Sequence, residues 1–292
     1  MPMDFGLSDR IARLCQLPGT GTKNLAQAFQ KNLVTPVLLA GRNPAVATAS
    51  LADIWGYPSI AAGQAIRVWP SAGYSLAVVS DSANDAAAGT GARTLIVSYL
   101  DTSYAAHYAV FTFNGTTAVT TADSIDGGAG GAVANVLRQN GAEVLTCGTG
   151  KVNAGNIFMT DSTNTYTAGV PVTTALVYDC ILAGDVIDAS SHCTIPAGYW
   201  GMIVQFLPSI CDMTATPKFG KTRIGMTTGL NGIFRYFDLG QVTSNNNGQV
   251  VEPMLLPIAP EKTDLKIMAQ VSAATEISVI NQMIIWPMTV TG

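Results

Sequence analysis

The sequence predicts an all-β protein: two β-sandwich or jelly-roll-like domains behind a short helical N-terminal arm. Three features carry that expectation. From residue 50 onward, short runs rich in Val, Ile, Tyr, Phe and Thr recur, each bounded by Gly, Asn, Asp or Pro. That is the regular strand-and-turn spacing of sandwiches and barrels. The chain holds 29 Gly and 14 Pro, which suits many turns better than long helices. Hydrophobic residues make up 48% of the 292, enough for one large core or two smaller ones.

Residues 1–50 read as the arm. Leu7, Ile11, Leu14 and Leu17 recur at helical spacing, Ser8 is placed to cap the helix, and Pro18-Gly19 ends it. A second helical stretch over 24–32 puts Leu25, Ala28 and Phe29 on one face. Two roles stand for this arm: a helical lid on its own domain, or an extension that docks on a neighbouring subunit.

The first β domain is expected over 51–165, with strands at 64–69, 75–80, 94–100 and 108–113. Asn114-Gly115 follows as a hairpin turn, since both residue types tolerate positive φ, and 116–121 reads as the returning strand. Further strands are expected at 143–146 and 155–160. The polar, turn-rich stretch 161–173 is the seam between domains. The second domain, 174–292, carries strands at 174–182, 201–207, 221–226, 232–238, 265–270 and 275–286. Two low-complexity loops, DGGAGGAVA at 126–134 and SNNNG at 244–248, lack the apolar area to order themselves. The first has no Lys-Ser/Thr pair behind it and no βαβ unit around it, so it is not a phosphate loop.

Charged residues make up only 12%, with a net charge of −4, against roughly 25% in ordinary soluble domains. Fifteen Lys and Arg without a dense run argue against a nucleic-acid partner, which requires clustered positive charge. No apolar stretch reaches the length that spans a bilayer as a helix, and MPMDFGLSDR has no basic start followed by an apolar run. Neither membrane nor secretory targeting is expected. Five widely spaced cysteines without a CxxC pair read as free thiols of a reducing cytoplasm, with Cys180–Cys193 or Cys193–Cys211 as the alternative bridges.

Reactive groups do not assemble on paper. The two histidines, His107 and His192, read as structural, and His192 and Cys193 point to opposite faces of a strand. Neither GxSxG nor HExxH occurs. A glycosidase requires two facing carboxylates, and Asp81, Asp85, Asp123, Asp126, Asp185 and Asp188 are the candidates. All sit in turn contexts where Asp caps its own backbone. Asp81 and Asp85 could alternatively hold calcium with loop carbonyls. Trp55, Tyr57, Trp69, Tyr199 and Trp200 could form a sugar platform or act as core and interface anchors, and the anchor reading is preferred. Arg93, behind Asp81 and Asp85, is expected to donate to one of those carboxylates or to loop carbonyls, pinning loop to strand. No catalytic residue, cofactor or metal is assigned.

Residues 80–101 read SDSANDAAAGTGARTLIVSYLD and are followed by FTFNGTTAVTT at 111–121. This block resembles a module of virion proteins from tailed bacteriophages, many of marine and cyanobacterial hosts. VNAGNIFM at 152–159, CTIPAGYWGMI at 193–203 and EKTDLKIMAQVSAATEISVINQMII at 261–285 are similar to later parts of the same group. The strand before NGTT usually carries acidic residues there, whereas this chain has YAAHYAVFTF, which implies a face buried against another copy. The resemblance implies a non-enzymatic structural component of a virion, made in the host cytoplasm, in a capsid-decoration, head-fibre or tail position. Its implied partners are itself, with a trimer favoured, and capsid, portal or tail components. Asp81, Asp85, Arg93, Asn114, Gly115, Trp55, Trp69 and Trp200 are the candidate structural and contact residues. A tail-associated receptor- or glycan-binding protein is the alternative, and a polysaccharide-degrading enzyme the third class.

Overall fold

A computed structural model describes residues 34–47, 51–57, 66–211, 218–228, 235–243 and 258–288. The helical stretches expected before residue 33 lie outside the described residues. What is described is all-β and sandwich-like, with one short 3-10 turn at Thr174–Leu176.

The strands begin with β1 (Thr35–Val46), β2 (Ala52–Asp53), β3 (Leu76–Ser80), β4 (Ala92–Asp101) and β5 (Ala106–Thr112). Three two-residue strands follow, β6 (Thr121–Ala122), β7 (Ser124–Ile125) and β8 (Gly131–Ala132), then β9 (Val136–Cys147) and β10 (Ile157–Asp161). Next come β11 (Tyr166–Thr167), β12 (Val170–Pro171), β13 (Val177–Ile181) and β14 (His192–Thr194). The last five are β15 (Tyr199–Cys211), β16 (Phe219–Thr228), β17 (Arg235–Thr243), β18 (Thr263–Val271) and β19 (Thr275–Pro287).

Two large apolar cores dominate the described residues. In the first, the sheet β1-β19-β15 faces the sheet β14-β18-β16-β17, with β2 added beside β18. Period-2 alternation drives this packing: Ile277, Val279 and Met283 of β19 point inward with Leu39 and Phe206, against Ile267 of the other sheet. The second core lies between β13-β10-β3 and β7-β5-β4-β9, where Leu76, Val78, Leu95, Val97, Phe111 and Ile157 meet. Pairing crosses long stretches of chain. Strand β1 pairs with β19 near the other end, and β10 pairs with β13 across residues 161–173.

Several expectations shift at this level. Residues 35–46, where no strand was expected, form the twelve-residue β1. Residues 66–70 are irregular rather than a strand. The turn at Asn114-Gly115 forms, with Gly115 at φ 61° and the Thr117 amide donating to the Asn114 carbonyl at 3.2 Å. Its return differs. Residue 119 bridges to Val78 of β3, while β5 takes β4 and β7 as its partners. Residues 116–121 are therefore not the second arm of a hairpin with β5. The side chains around Val119 complete the second core, and that burial outweighs local hairpin closure.

Candidate functional site

The scarce charges of this chain gather where the two cores meet. Arg138 of β9 and Asp264 of β18 form a bidentate pair, with Nε to Oδ1 at 2.8 Å and Nη2 to Oδ2 at 2.9 Å. Their side chains are 2% and 3% exposed, so the pair is fully desolvated. The remaining valences are filled: Arg138 Nη1 donates to the Pro70 and Leu137 carbonyls, and Thr194 Oγ1 donates to Asp264. Such satisfaction is what a buried ion pair requires, because desolvation otherwise exceeds the Coulomb gain.

Around this pair stands a second layer. Arg67 lies 4.4 Å and Arg138 5.3 Å from the centroid of the Trp69 ring, a cation–π arrangement. His192 meets the same ring edge-on at 5.8 Å, and its Nε2 is 3.1 Å from the Gln139 carbonyl. Burial, reinforced by Arg67, holds the imidazole well below its ordinary range, so it is neutral and Nε2–H donates. Arg67 Nε donates to the Tyr178 carbonyl at 2.6 Å, and its own amide donates to Asp53. Asp53 in turn lies 3.0 Å from Lys266 Nζ.

Asp179, with no exposed surface, accepts from Ser190 Oγ at 2.6 Å and from the Cys180 amide. Desolvation and then the neighbouring Asp179 charge push Asp188 well above the carboxylate range. Desolvation likewise raises Asp179, against the opposing pull of Arg67. The cluster gathers Arg67, Arg138 and Lys266 around Asp53, Asp179 and Asp264, with burial lowering Arg67 and raising Asp53 and Asp179.

Segment 186–191 ties the cores together by backbone bonds. The Val144 amide donates to Val186 and the Asp188 amide to Ala142 on the β9 side. On the other side, Arg42 donates to the Ala189 carbonyl and Ser191 to that of Ile54. A cleft of about 390 Å³ opens beside it, walled by Leu38, Ile96, Glu143, Ile187 and Asp188. Asp179 lies under Asp188 with no surface of its own, so the two carboxylates do not face each other across open space.

The residues singled out from sequence fall elsewhere and apart. Asp85 is a buried hub: Oδ1 accepts the Ala92 and Ala154 amides, and Oδ2 accepts Ser80 Oγ and the Gly155 amide, all within 2.9 Å. Four donors fill its lone pairs, which leaves no place for calcium. Asp81 binds Asn156 through its amide and Nδ2, both at 2.7 Å. Arg93 Nε donates to the Gly89 carbonyl at 3.1 Å, and the Gly115 amide donates to the Asp85 carbonyl at 2.7 Å. Asn114 bridges Ala86 and Thr117. All of these residues thus organise one loop system, 80–93 with 113–117 and 153–156, and Asn114 also closes its turn.

The aromatic residues disperse. Trp55 is 1% exposed and packs edge-on to Tyr57, beside Phe158. Trp200 pairs in register with Trp286 at the start of β15. Trp69 sits in the ionic cluster. They do not form a common platform. Of the other carboxylates, Asp123 accepts from Thr112 Oγ1, Asp126 meets His107, and Asp185 meets Arg42. Cys147, Cys180 and Cys193 are free thiols, and Cys180–Cys193 is not a bridge.

Arg67, Arg138, Asp179, Asp264 and Lys266 were not anticipated. A usable signal exists, since each of the last four interrupts an apolar strand: VLRQN, VYDCI and TDLKIM. A charge inside a strand of such a sparsely charged chain marks a buried partner.

Fold and site together define an all-β, sandwich-like protein whose two cores are joined by a desolvated ionic network. Compared with family models, curated proteins and solved structures, the chain matches none. Among the described residues, no helix is long and apolar enough to cross a membrane, and no group of three or more His, Cys, Asp or Glu is placed to hold a metal.

Proposed function

We propose that this chain is a non-enzymatic structural component of a tailed-phage virion that works by packing against copies of itself and neighbouring virion proteins. The observation that carries the packing role is where the polarity sits. Two ion pairs, Arg138–Asp264 and Lys266–Asp53, hold four of the chain's few charges in the interior, while large apolar side chains stand on the outside, among them Leu38 (63% exposed), Phe219 (52%) and Ile280 (49%). Contiguous exposed apolar surface marks protein contact sites. The virion assignment rests on the resemblance at residues 80–121 and 261–285. The glycan-binding alternative has less support, because the five aromatic rings it needs are scattered.

Light scattering on the purified chain tests self-association, with a mass of three chains expected and a concentration-independent monomer overturning it. Quantitative gel analysis of purified particles tests the virion role: hundreds of copies would point to shell decoration, and three to a dozen to a tail or fibre position. Absence from particles would overturn it.

A further inference from the structure

The geometry points to the N-terminal segment of a second copy, residues 1–33, as the occupant of the exposed part of the outer face of the β1-β19-β15 sheet, around Leu38 and Ile280. This inference rests on the self-association proposed above and names its surface. The ladder aligns Ala40, Ile280 and Leu207 in one row across the three strands, with Leu38 in the next row beside Gln282. Ile187 adjoins them at the edge. In the single chain Leu38 and Ile280 stay 63% and 49% exposed, although helices or sheets normally cover such a face.

The position of Val34 is informative. It is buried with Met202, Ile284 and Trp286. Ile284 and Trp286 share the β19 parity of Ile280, so Val34 sits on this same outer face. Leu38 follows about 13 Å further along the strand. Residues 1–33 therefore join the protein beside the open surface, and even as continuous helix they would reach about 50 Å, enough to cross to a neighbour.

The chemistry of the segment matches. Leu7, Ile11, Leu14 and Leu17 form the apolar side expected of its helix, and Cys15 lies one turn on from Ile11. Arg10, Arg13, Lys23 and Lys31 outnumber Asp4 and Asp9. Acidic groups stand beside the recipient face: Glu276 and Asp185 flank Arg42, and Glu143 of β9 edges the adjoining cleft. An arm that satisfies a neighbour's sheet makes assembly reciprocal, and each subunit completes another.

Native Cys15 supplies the test. In full-length Ile280→Cys, mild oxidation should join Cys15 of one chain to the introduced thiol of another. The product runs at twice the chain mass on a non-reducing gel and is lost when Cys15→Ser is added. A disulfide confined within one chain, a dimer that persists in Cys15→Ser, or no disulfide at all would overturn the inference. As a second readout, full-length Ile11→Asp/Leu14→Asp should weaken self-association at least tenfold by light scattering, with an unchanged β-sheet circular dichroism spectrum. A wild-type chain that is monomeric throughout sinks the self-association reading itself. Oligomers without the Cys15 cross-link sink only the assignment of the arm.

Discussion

Arg138 and Asp264 meet through two parallel hydrogen bonds of 2.8 and 2.9 Å, 126 positions apart in sequence, at the junction of the two cores. Each belongs to a different core, so the pair fixes how one packs on the other. Asp264→Asn leaves the Arg138 guanidinium buried without its counter-charge, and the expected loss is about 3–5 kcal/mol. Urea denaturation measures it. A loss below about 1 kcal/mol would mean that water reaches the pair.

Asp85 is the second point where one side chain holds many backbone groups. Asp85→Asn keeps the shape but turns one acceptor oxygen into a donor facing N–H or O–H groups. The expected cost is about 1–3 kcal/mol. Amide exchange should speed up at Ala92, Ala154 and Gly155, the three backbone donors to this carboxylate, and remain unchanged in β18.

Asn281 points the other way. It is fully buried in the first core between Leu39 and Phe206, and neither its Oδ1 nor its Nδ2 has a hydrogen-bond partner. An unsatisfied amide costs free energy that an apolar side chain of similar volume does not. Asn281→Leu should therefore stabilise the protein by about 1 kcal/mol, read as a higher Tm by calorimetry. A lower Tm would show that the amide is satisfied in solution.

The two histidines give opposite pH responses. His107 lies between Asp126, 2.7 Å from Nδ1, and Asp101, 2.9 Å from Nε2. The Asp126 hydrogen bond, opposed by partial burial and aided by Asp101, raises its pKa. Burial works against Asp101, but hydrogen bonds from Ser103, His107 and Ala105 outweigh it and hold that carboxyl at about 2. The clasp thus stabilises the fold fully below the ordinary histidine value near 6.5 and fades as pH rises through the elevated one. On the acid side it fades as pH falls from about 4 toward 2. His192 is depressed by burial, so the unfolded chain takes up its proton first and stability falls as pH drops below about 6.5. Tm against pH for His107→Gln should lose the alkaline decline, and an imidazole NMR titration should find His107 above 6.5 and His192 untitrated there. Two ordinary titrations would contradict both assignments.

The strand content, most strand positions and the 81–93 loop residues could be read from the amino acids, because period-2 apolar runs and Gly-, Asn- and Asp-rich turns act locally. Ala92–Asp101 and Thr275–Pro287 lie within a few residues of their expected bounds. Strand β1 was missed: Thr35–Val46 contains Gly41, Asn43 and two prolines, and its strand character comes from β19 rather than from propensity.

By itself, then, the sequence determined that this chain is all-β and sparsely charged, with its turns where glycine and asparagine permit them. Only the tertiary structure decided which strands pair, where the return from Asn114-Gly115 goes, and that Arg138–Asp264 and Lys266–Asp53 lie inside as ion pairs. The reason is physical. An alternating pattern says that one face must be buried without naming the surface that buries it. Arg42 and Glu276, 234 positions apart, become partners only once two distant strands satisfy each other's backbone and apolar faces together.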